Sequence, residues 1–542
     1  MSVHIDNHDV SGFIRADGQK VINGDGKEII LRGVGFGSWL LPEGYMWKLP
    51  EGGDRPRKIE AMIKELIGEE KASLFWDTYV ERYVDEIDVR EVALQGYNSV
   101  RLPINARDIL IAGDQVTFNE KRLARIHQVI EWCRQYKVYV ILDLHGAPGG
   151  QTGANIDDSE NDLPELFTDR KNQELTIAIW RMFAERYKDD WIIAGYDLLN
   201  EPLPDWFNKY NDQVLPLYKE ITAAIREIDK KHMIILEGVH WSTDWSIFTD
   251  QFDDNLMLQF HKYWNNPDTE SIQKYIDKRD EWNVPIFMGE GGENNAQWYS
   301  GAFQMFEDHQ ISWNFWTWKK IKTSNSPYSI RMPEGWNLLT DYLEGGAKPD
   351  AATSEAIFNQ YLDNIRLENC DAYPGISRSL LRHLPIQIPA EFYRQGDGVG
   401  FGIVQKKENP VGLRVSDYVP MRMIASENDK PSYHSEGGKL WDANNTVCVE
   451  LHPGDWLAYD ALCVETNPFH LRARLNIATG QDATLSIEWE GHQPVTCEVS
   501  NEGWHETLLM ENIIVVSGPV QVIVRVLRGQ VDLDWIEFSV VK

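Results

Sequence analysis

Tyr196-Asp197-Leu198-Leu199-Asn200-Glu201-Pro202 is an apolar, strand-like run that stops abruptly at a carboxylate. Phe287-Met288-Gly289-Glu290 does the same further along. A Glu at the mouth of a buried strand costs folding free energy unless it is paired, solvated or useful. Outward from these two runs, strand candidates at 28–36, 97–104, 138–145, 193–200, 233–239, 256–263, 285–290 and 312–318 alternate with amphipathic segments such as 78–95, 119–136, 170–187, 209–230 and 269–281. Continuous apolar strands separated by helices predict a parallel sheet buried on both faces. Eight of them predict an α/β fold closed as a (β/α)8 TIM barrel, in which chemistry sits at the C-terminal strand ends. Asn23-Gly24-Asp25-Gly26 predicts a hairpin turn before the first strand.

Nearly every expected strand ends in a polar or aromatic residue: Arg101 to Asn105, His145, Asn200-Glu201, His261-Lys262-Tyr263, Glu290, and Trp316 to Trp318. One strand-end Glu is more often a salt-bridged rim residue. Two of them, joined by His145, His261 and Tyr263, point instead to an acid and a nucleophile facing one bond, the apparatus of retaining glycoside hydrolysis. In that reading Glu201 is the general acid, its pKa raised by apolar walls and by the second carboxylate. Glu290 is the nucleophile and stays ionised beside Arg101 and Tyr263. His145 lacks the HxH or HExxH spacing of a zinc site, so it is read as a hydrogen-bonding residue and no metal is assigned. Trp316 and Trp318 alternate along one strand, which places both indoles on one face as core or as a sugar-stacking platform.

The chain of 542 residues exceeds what one core usually supports. It carries 53 basic against 84 acidic residues, so nucleic acid and anionic membranes are disfavoured partners. Its 21 Trp favour carbohydrate, because flat aromatic faces stack on the apolar faces of sugars. No run approaches the ~18 apolar residues of a membrane span. The five scattered cysteines read as buried thiols in a reducing compartment, and the N-terminus lacks a secretion signal. The expectation is a cytoplasmic enzyme, or a secreted one if a signal has been removed. Oligomeric state is left open.

Pro374, Pro385 and Pro389 mark a change of character. Residues 1–370 are expected to form the barrel, 371–385 a linker and 386–542 an all-β sandwich of short alternating strands.

At its strand ends the chain resembles the family 5 glycoside hydrolases. The carrying residues are Arg101 in Asn98-Ser99-Val100-Arg101-Leu102-Pro103, His145, Asn200-Glu201, His261 with Tyr263, Glu290 and Trp316. The resemblance implies Glu201 as acid/base, Glu290 as nucleophile and Asn200 as a donor to the sugar 2-hydroxyl. Within the family, Leu31-Arg32-Gly33-Val34-Gly35-Phe36-Gly37-Ser38-Trp39-Leu40 and Asp143-Leu144-His145-Gly146-Ala147-Pro148-Gly149-Gly150-Gln151 resemble the exo-β-1,3-glucanase and β-glucosidase branch. That likeness implies a sugar-holding role for Glu43, and Asp157 or Asp158 in place of the branch's recognising Asp. Trp318-Lys319-Lys320-Ile321 departs from the branch pattern. Pro389-Ala390-Glu391-Phe392-Tyr393 and Asp532-Leu533-Asp534-Trp535-Ile536-Glu537-Phe538 resemble carbohydrate-binding modules of families 6 and 35.

The expected activity is a retaining β-glycosidase, exo-acting on β-glucosides or short β-glucans, that needs no cofactor. Glu391 or Asp534 is the candidate holder of a structural calcium. The expected substrate-binding set is Arg101, His145, Asn200, His261, Tyr263, Trp316, Trp318, Glu43 and Asp157. The alternatives are a transglycosylase or a glycosidase for another sugar on the same site, and a non-catalytic carbohydrate-binding protein.

Overall fold

The computed structural model describes residues 9–541 except 112, 114–115, 426–430, 432, 434–446, 479, 490 and 501. After a hairpin of Arg15–Asp17 and Lys20–Ile22, eight parallel strands follow: Arg32–Gly35 (β1), Ser99–Asn105 (β2), Tyr139–Gly146 (β3), Ile193–Asp197 (β4), Met233–Glu237 (β5), Leu256–Lys262 (β6), Ile286–Gly292 (β7) and Ser312–Trp316 (β8). They close into a barrel in chain order, and each expected strand is among them. Every residue of β2 to β8 is buried, which is why these strands read as unbroken apolar runs and not as alternating ones.

The helices follow from 3.6-residue spacing. Helix Glu120–Tyr136 buries Leu123, Ile126, Val129, Ile130 and Cys133 against the sheet, a stripe at three- and four-residue intervals. Each such side chain contributes about 1.5–3 kcal/mol on burial. Asn119 caps its start by accepting from the Arg122 N–H, and Lys137 ends it in a left-handed conformation.

Glycine at the end of β1 makes room for an aromatic. A Cβ on Gly35 would meet Trp316 Cε3 at 2.7 Å, and one on Gly37 would meet Trp316 Cζ2 at 2.7 Å. The Gly-rich start of the barrel therefore lets the last strand's indole lie flat across the mouth.

The chain divides into two compact units. The barrel unit comprises the chain up to Lys262, with Tyr275–Gly291 and Ile311–Tyr373. The second takes Tyr263–Lys274, Gly292–Gln310 and the chain from Pro374 onward. It holds two antiparallel sheets. One has the order Phe401–Gly402, Trp456–Cys463, Gly518–Arg528, Ala483–Trp489, Val495–Val499. In the other, Val531–Val540 pairs with Val447–Leu451, Asn467–Ile477 and Ile386–Pro389. Residues 371–385 carry a two-residue strand, Asp371–Ala372, and a helix, Pro374–Leu381.

Of the two candidate calcium holders, both buried, Asp534 accepts from Arg474. Burial lifts the Glu391 carboxyl to about 8. Among the described residues no helix is long and apolar enough to cross a membrane.

Candidate active site

The barrel's C-terminal end gathers carboxylates around one arginine. Arg101, on β2, is completely buried. Its Nε donates to Asp197 at 2.8 Å, its Nη1 to Glu290 at 3.0 Å, and its Nη2 to Asn200 Oδ1 and Glu237 Oε1, both at 2.9 Å. Nη1 also lies 3.2 Å from Asp143. Expected as a substrate contact, Arg101 instead spends its N–H groups on protein acceptors and serves as the counter-charge of the site.

Glu201 follows β4 with its backbone in the left-handed region, at φ 44°. A side-chain-bearing residue is held there at a cost of about 1–3 kcal/mol. Its N–H donates to Glu237 Oε2 at 2.7 Å, which pins the turn. Glu290 ends the apolar run of β7, opposite His261 across the β6–β7 ladder. The preceding Gly289 is forced by packing, since a Cβ there would meet the Gln259 side chain at 2.1 Å. His261 stands between the two acids. Its Nδ1 is 2.6 Å from Glu201 Oε1 and 3.9 Å from Glu290 Oε2, and its Nε2 is 3.4 Å from Glu237. One oxygen each of Glu201 and Glu290 and a nitrogen of His261 lie within 4.8 Å of one another.

Residues 66–322 match the model of the cellulase family, glycosyl hydrolase family 5. A probable glucan 1,3-beta-glucosidase A of Emericella nidulans is 30% identical over 395 residues, covering 61% of this chain and 92% of the relative. This chain belongs to glycosyl hydrolase family 5. A beta-xylosidase of Phanerodontia chrysosporium is 25% identical over 367 residues, 61% of this chain and 76% of that protein. The structure of Thermotoga maritima Cel5A with cellobiose is similar over 58% of this chain and 97% of that one, at 20% identity and a TM-score of 0.41. As a family 5 member, the protein is an O-glycosyl hydrolase that acts on carbohydrate.

Negative charge is in surplus in this family 5 site, and the protonation states reflect it. Burial pushes Asp197 well above the usual carboxylate range, against the pull of Arg101. Burial also opposes the charge on His261, yet Glu237, Glu290 and Glu201 outweigh it and lift the imidazole well above its ordinary value. Burial likewise opposes charge on Glu237, but His261 and Arg101 hold that carboxyl below its ordinary value. Glu290 is raised by burial, with the charge of Glu201 adding, while His261 and Arg101 pull the other way.

On the other side of the pair, His145 Nδ1 faces Asp143 at 2.7 Å and its ring lies flat on Trp316, centroids 5.3 Å apart at 6°. The carboxylate sets the tautomer, leaving Nε2 as acceptor toward Asn200 Nδ2 at 3.4 Å. Because Asn200 Oδ1 is taken by Arg101, its amide hydrogens point the other way. Trp316 Nε1 donates to Tyr45 at 2.7 Å. Glu43 is buried, with Oε1 3.9 Å from His145 Nε2.

Two expected substrate contacts, Trp318 and Asp157, are engaged with other protein groups. β8 stops at Trp316, so alternation does not carry on to Trp318; that indole donates to Asp88 at 2.9 Å and packs against Tyr97 and Tyr328. Asp157 is completely buried and accepts from the Thr152 and Ser159 N–H groups, each at 2.8 Å, so it shapes its own loop. Its neighbour Asp158 accepts from Asn105 and Arg107. Tyr263 directly follows β6; its ring meets Trp264 at 5.6 Å and its carbonyl accepts from Asn294. Glu237, Asp143, Asp197 and Gln259 were not singled out from the sequence. Glu237 carried the same signal as Glu201 and Glu290, an apolar strand (Met-Ile-Ile-Leu) that ends in a carboxylate.

Proposed function

We propose that this family 5 enzyme is a retaining β-glycosidase, exo-acting on β-glucosides or short β-glucans. The approach of Glu201 and Glu290 oxygens to within 4.8 Å carries the reading. Retaining pairs stand ~5–5.5 Å apart, whereas inverting pairs leave ~6.5–9.5 Å for a water. Glu290 attacks the anomeric carbon while Glu201 protonates the departing oxygen. Glu201 then takes a proton from the water that releases the sugar. Burial raises the Glu290 carboxyl, while His261 and Arg101 beside it favour the charged form that attacks. Asn200 Nδ2 is aimed to donate to the sugar 2-hydroxyl, and Glu43, His145 and Trp316 enclose the sugar at the cleaved end. The relatives named glucan 1,3-beta-glucosidase and beta-xylosidase support a β-linked pyranose as the substrate.

The test is product stereochemistry. Proton NMR of early hydrolysis on an aryl β-glycoside panel (glucoside, xyloside, galactoside, mannoside) should show the β-anomer first. A 2-deoxy-2-fluoro glycoside should label the peptide that contains Glu290. Initial release of the α-anomer would overturn the retaining assignment.

For residues 386–542 the reading is a carbohydrate-binding-module-like sandwich, supported by its two antiparallel sheets; retention on insoluble β-glucan by affinity electrophoresis is its test. A reducing, cytoplasmic setting agrees with the five cysteines, which are all free thiols. No cofactor enters any step.

A further inference from the structure

β5 ends in an acid that takes no part in making or breaking bonds. Glu237 is completely buried, and its two carboxyl oxygens serve different partners. Oε1 accepts from Arg101 Nη2 at 2.9 Å and from Gln259, which stands opposite it in the β5–β6 ladder. Oε2 accepts from the Glu201 N–H at 2.7 Å and lies 3.4 Å from His261 Nε2. One oxygen therefore braces the arginine that faces the nucleophile. The other meets both the backbone of the acid and the acid's histidine neighbour.

Two features fix Glu237 itself. The Tyr218 hydroxyl, from helix Asn211–Arg226, donates to its carbonyl at 2.9 Å. Gly238 follows in a turn with no room for a side chain, since a Cβ there would meet the Asp244 carbonyl oxygen at 2.4 Å. Glu201 depends on that fixed point. Its backbone, at φ 44°, lies where residues with side chains are disfavoured. Such a turn persists only while its surroundings enforce it, and here its N–H bonds to a charged acceptor, the stronger kind.

The same oxygen steadies the imidazole. His261 Nδ1 lies 2.6 Å from Glu201 Oε1 while Nε2 faces Glu237, so the ring is held between a reacting carboxyl and a fixed one. Burial opposes the imidazolium, and Glu237 is the foremost of the carboxylates that restore it. A carboxylate behind a histidine that touches a reacting group sets the ring's orientation and the placing of its protons. We infer that Glu237 is the positioning residue of the acid: through the Glu201 backbone and through His261 it aims the Glu201 carboxyl at the departing oxygen. The inference rests on Glu201 as the acid. Loss of Glu237 then costs rate according to how much the leaving group needs a proton, because general-acid help counts most when the departing oxygen is basic.

The test measures kcat/KM for 2,4-dinitrophenyl and phenyl β-glycosides of the best-cleaved sugar with wild type, Glu237→Gln and Glu201→Gln. Dinitrophenolate departs without a proton, and phenolate needs one. Glu237→Gln keeps the shape but turns an amino group on donors at either oxygen. It should lose about 100-fold on the phenyl glycoside and stay within about threefold on the dinitrophenyl glycoside. A loss of equal size on both substrates, which is what a merely structural role gives, would overturn the inference, as would no loss on either. Should Glu237→Gln not fold, Glu237→Asp withdraws the carboxylate by one methylene and carries the same expectation. Glu201→Gln is the reference. If it loses equally on both glycosides, or if the wild type cleaves neither, the acid assignment falls and this inference with it. A split in Glu201→Gln that is missing in Glu237→Gln removes this inference alone.

Discussion

In the barrel, one completely buried arginine faces four carboxylates: Arg101 reaches Asp143, Asp197, Glu237 and Glu290 at 2.8–3.2 Å. In the second unit, arginines and acids are nearer parity. Arg422 pairs with Asp532 and Glu450, Arg474 with Asp534, and both arginine side chains remain 26% exposed. There each buried acid has its own arginine that still reaches solvent, so the charge is matched one to one. A buried surplus of carboxylate is destabilising, so packing alone gives no reason to keep it. Both regions look alike as a list of charged residues; burial and stoichiometry separate them.

The sharpest break in the comparison comes from removing the surplus itself. Glu290→Gln and Glu201→Gln should each lower kcat by about 10³-fold or more while the thermal transition stays within a few degrees of wild type. Retained turnover in either variant would place the chemistry elsewhere. Removing the counter-charge should do the opposite to stability. Arg101→Met leaves several carboxylates uncompensated and should cost about 3–5 kcal/mol in urea unfolding, whereas Arg474→Met strands a single carboxylate and should cost clearly less. Equal costs would erase the distinction between the two regions.

Two titrations refine it further. Glu391, in the second unit, has a folded pKa of about 8 against an ordinary 4.5. Between those values the folded state keeps a proton that the unfolded chain has lost, so stability falls as pH rises through the window. Glu391→Gln should flatten that slope and gain on the order of 2 kcal/mol at pH 8, with little change at pH 4; parallel slopes for the two proteins would contradict this. At the catalytic face, His261→Gln removes a cation beside Glu290. The carboxyl then ionises at higher pH, and the acid limb of kcat/KM should move up by about one unit. A limb that stays put would mean that His261 does not hold the nucleophile's charge.

Legibility in the sequence followed locality. Glu201 and Glu290 stood out because each ends a run of buried strand residues, a signal contained within seven residues. Glu237 carried that signal too, and only its engagement with the Glu201 N–H and with Arg101 gives it a part in the site. Trp316 and Trp318 could not be told apart by alternation, because where β8 ends depends on its neighbours. Asp157 sits in a loop, and loop side chains turn inward or outward according to what the turn itself needs.

The amino-acid order determined by itself the eight-strand barrel, the β-rich character of the C-terminal half and the two acids at strand ends. Hydrophobic continuity and period are properties of neighbouring residues, so they survive without coordinates. Closure of the barrel decided the rest: that Arg101 is a counter-charge, and that His261 stands between Glu201 and Glu290. Charge and aromatic contacts depend on distances through space, which residues remote along the chain acquire only on folding.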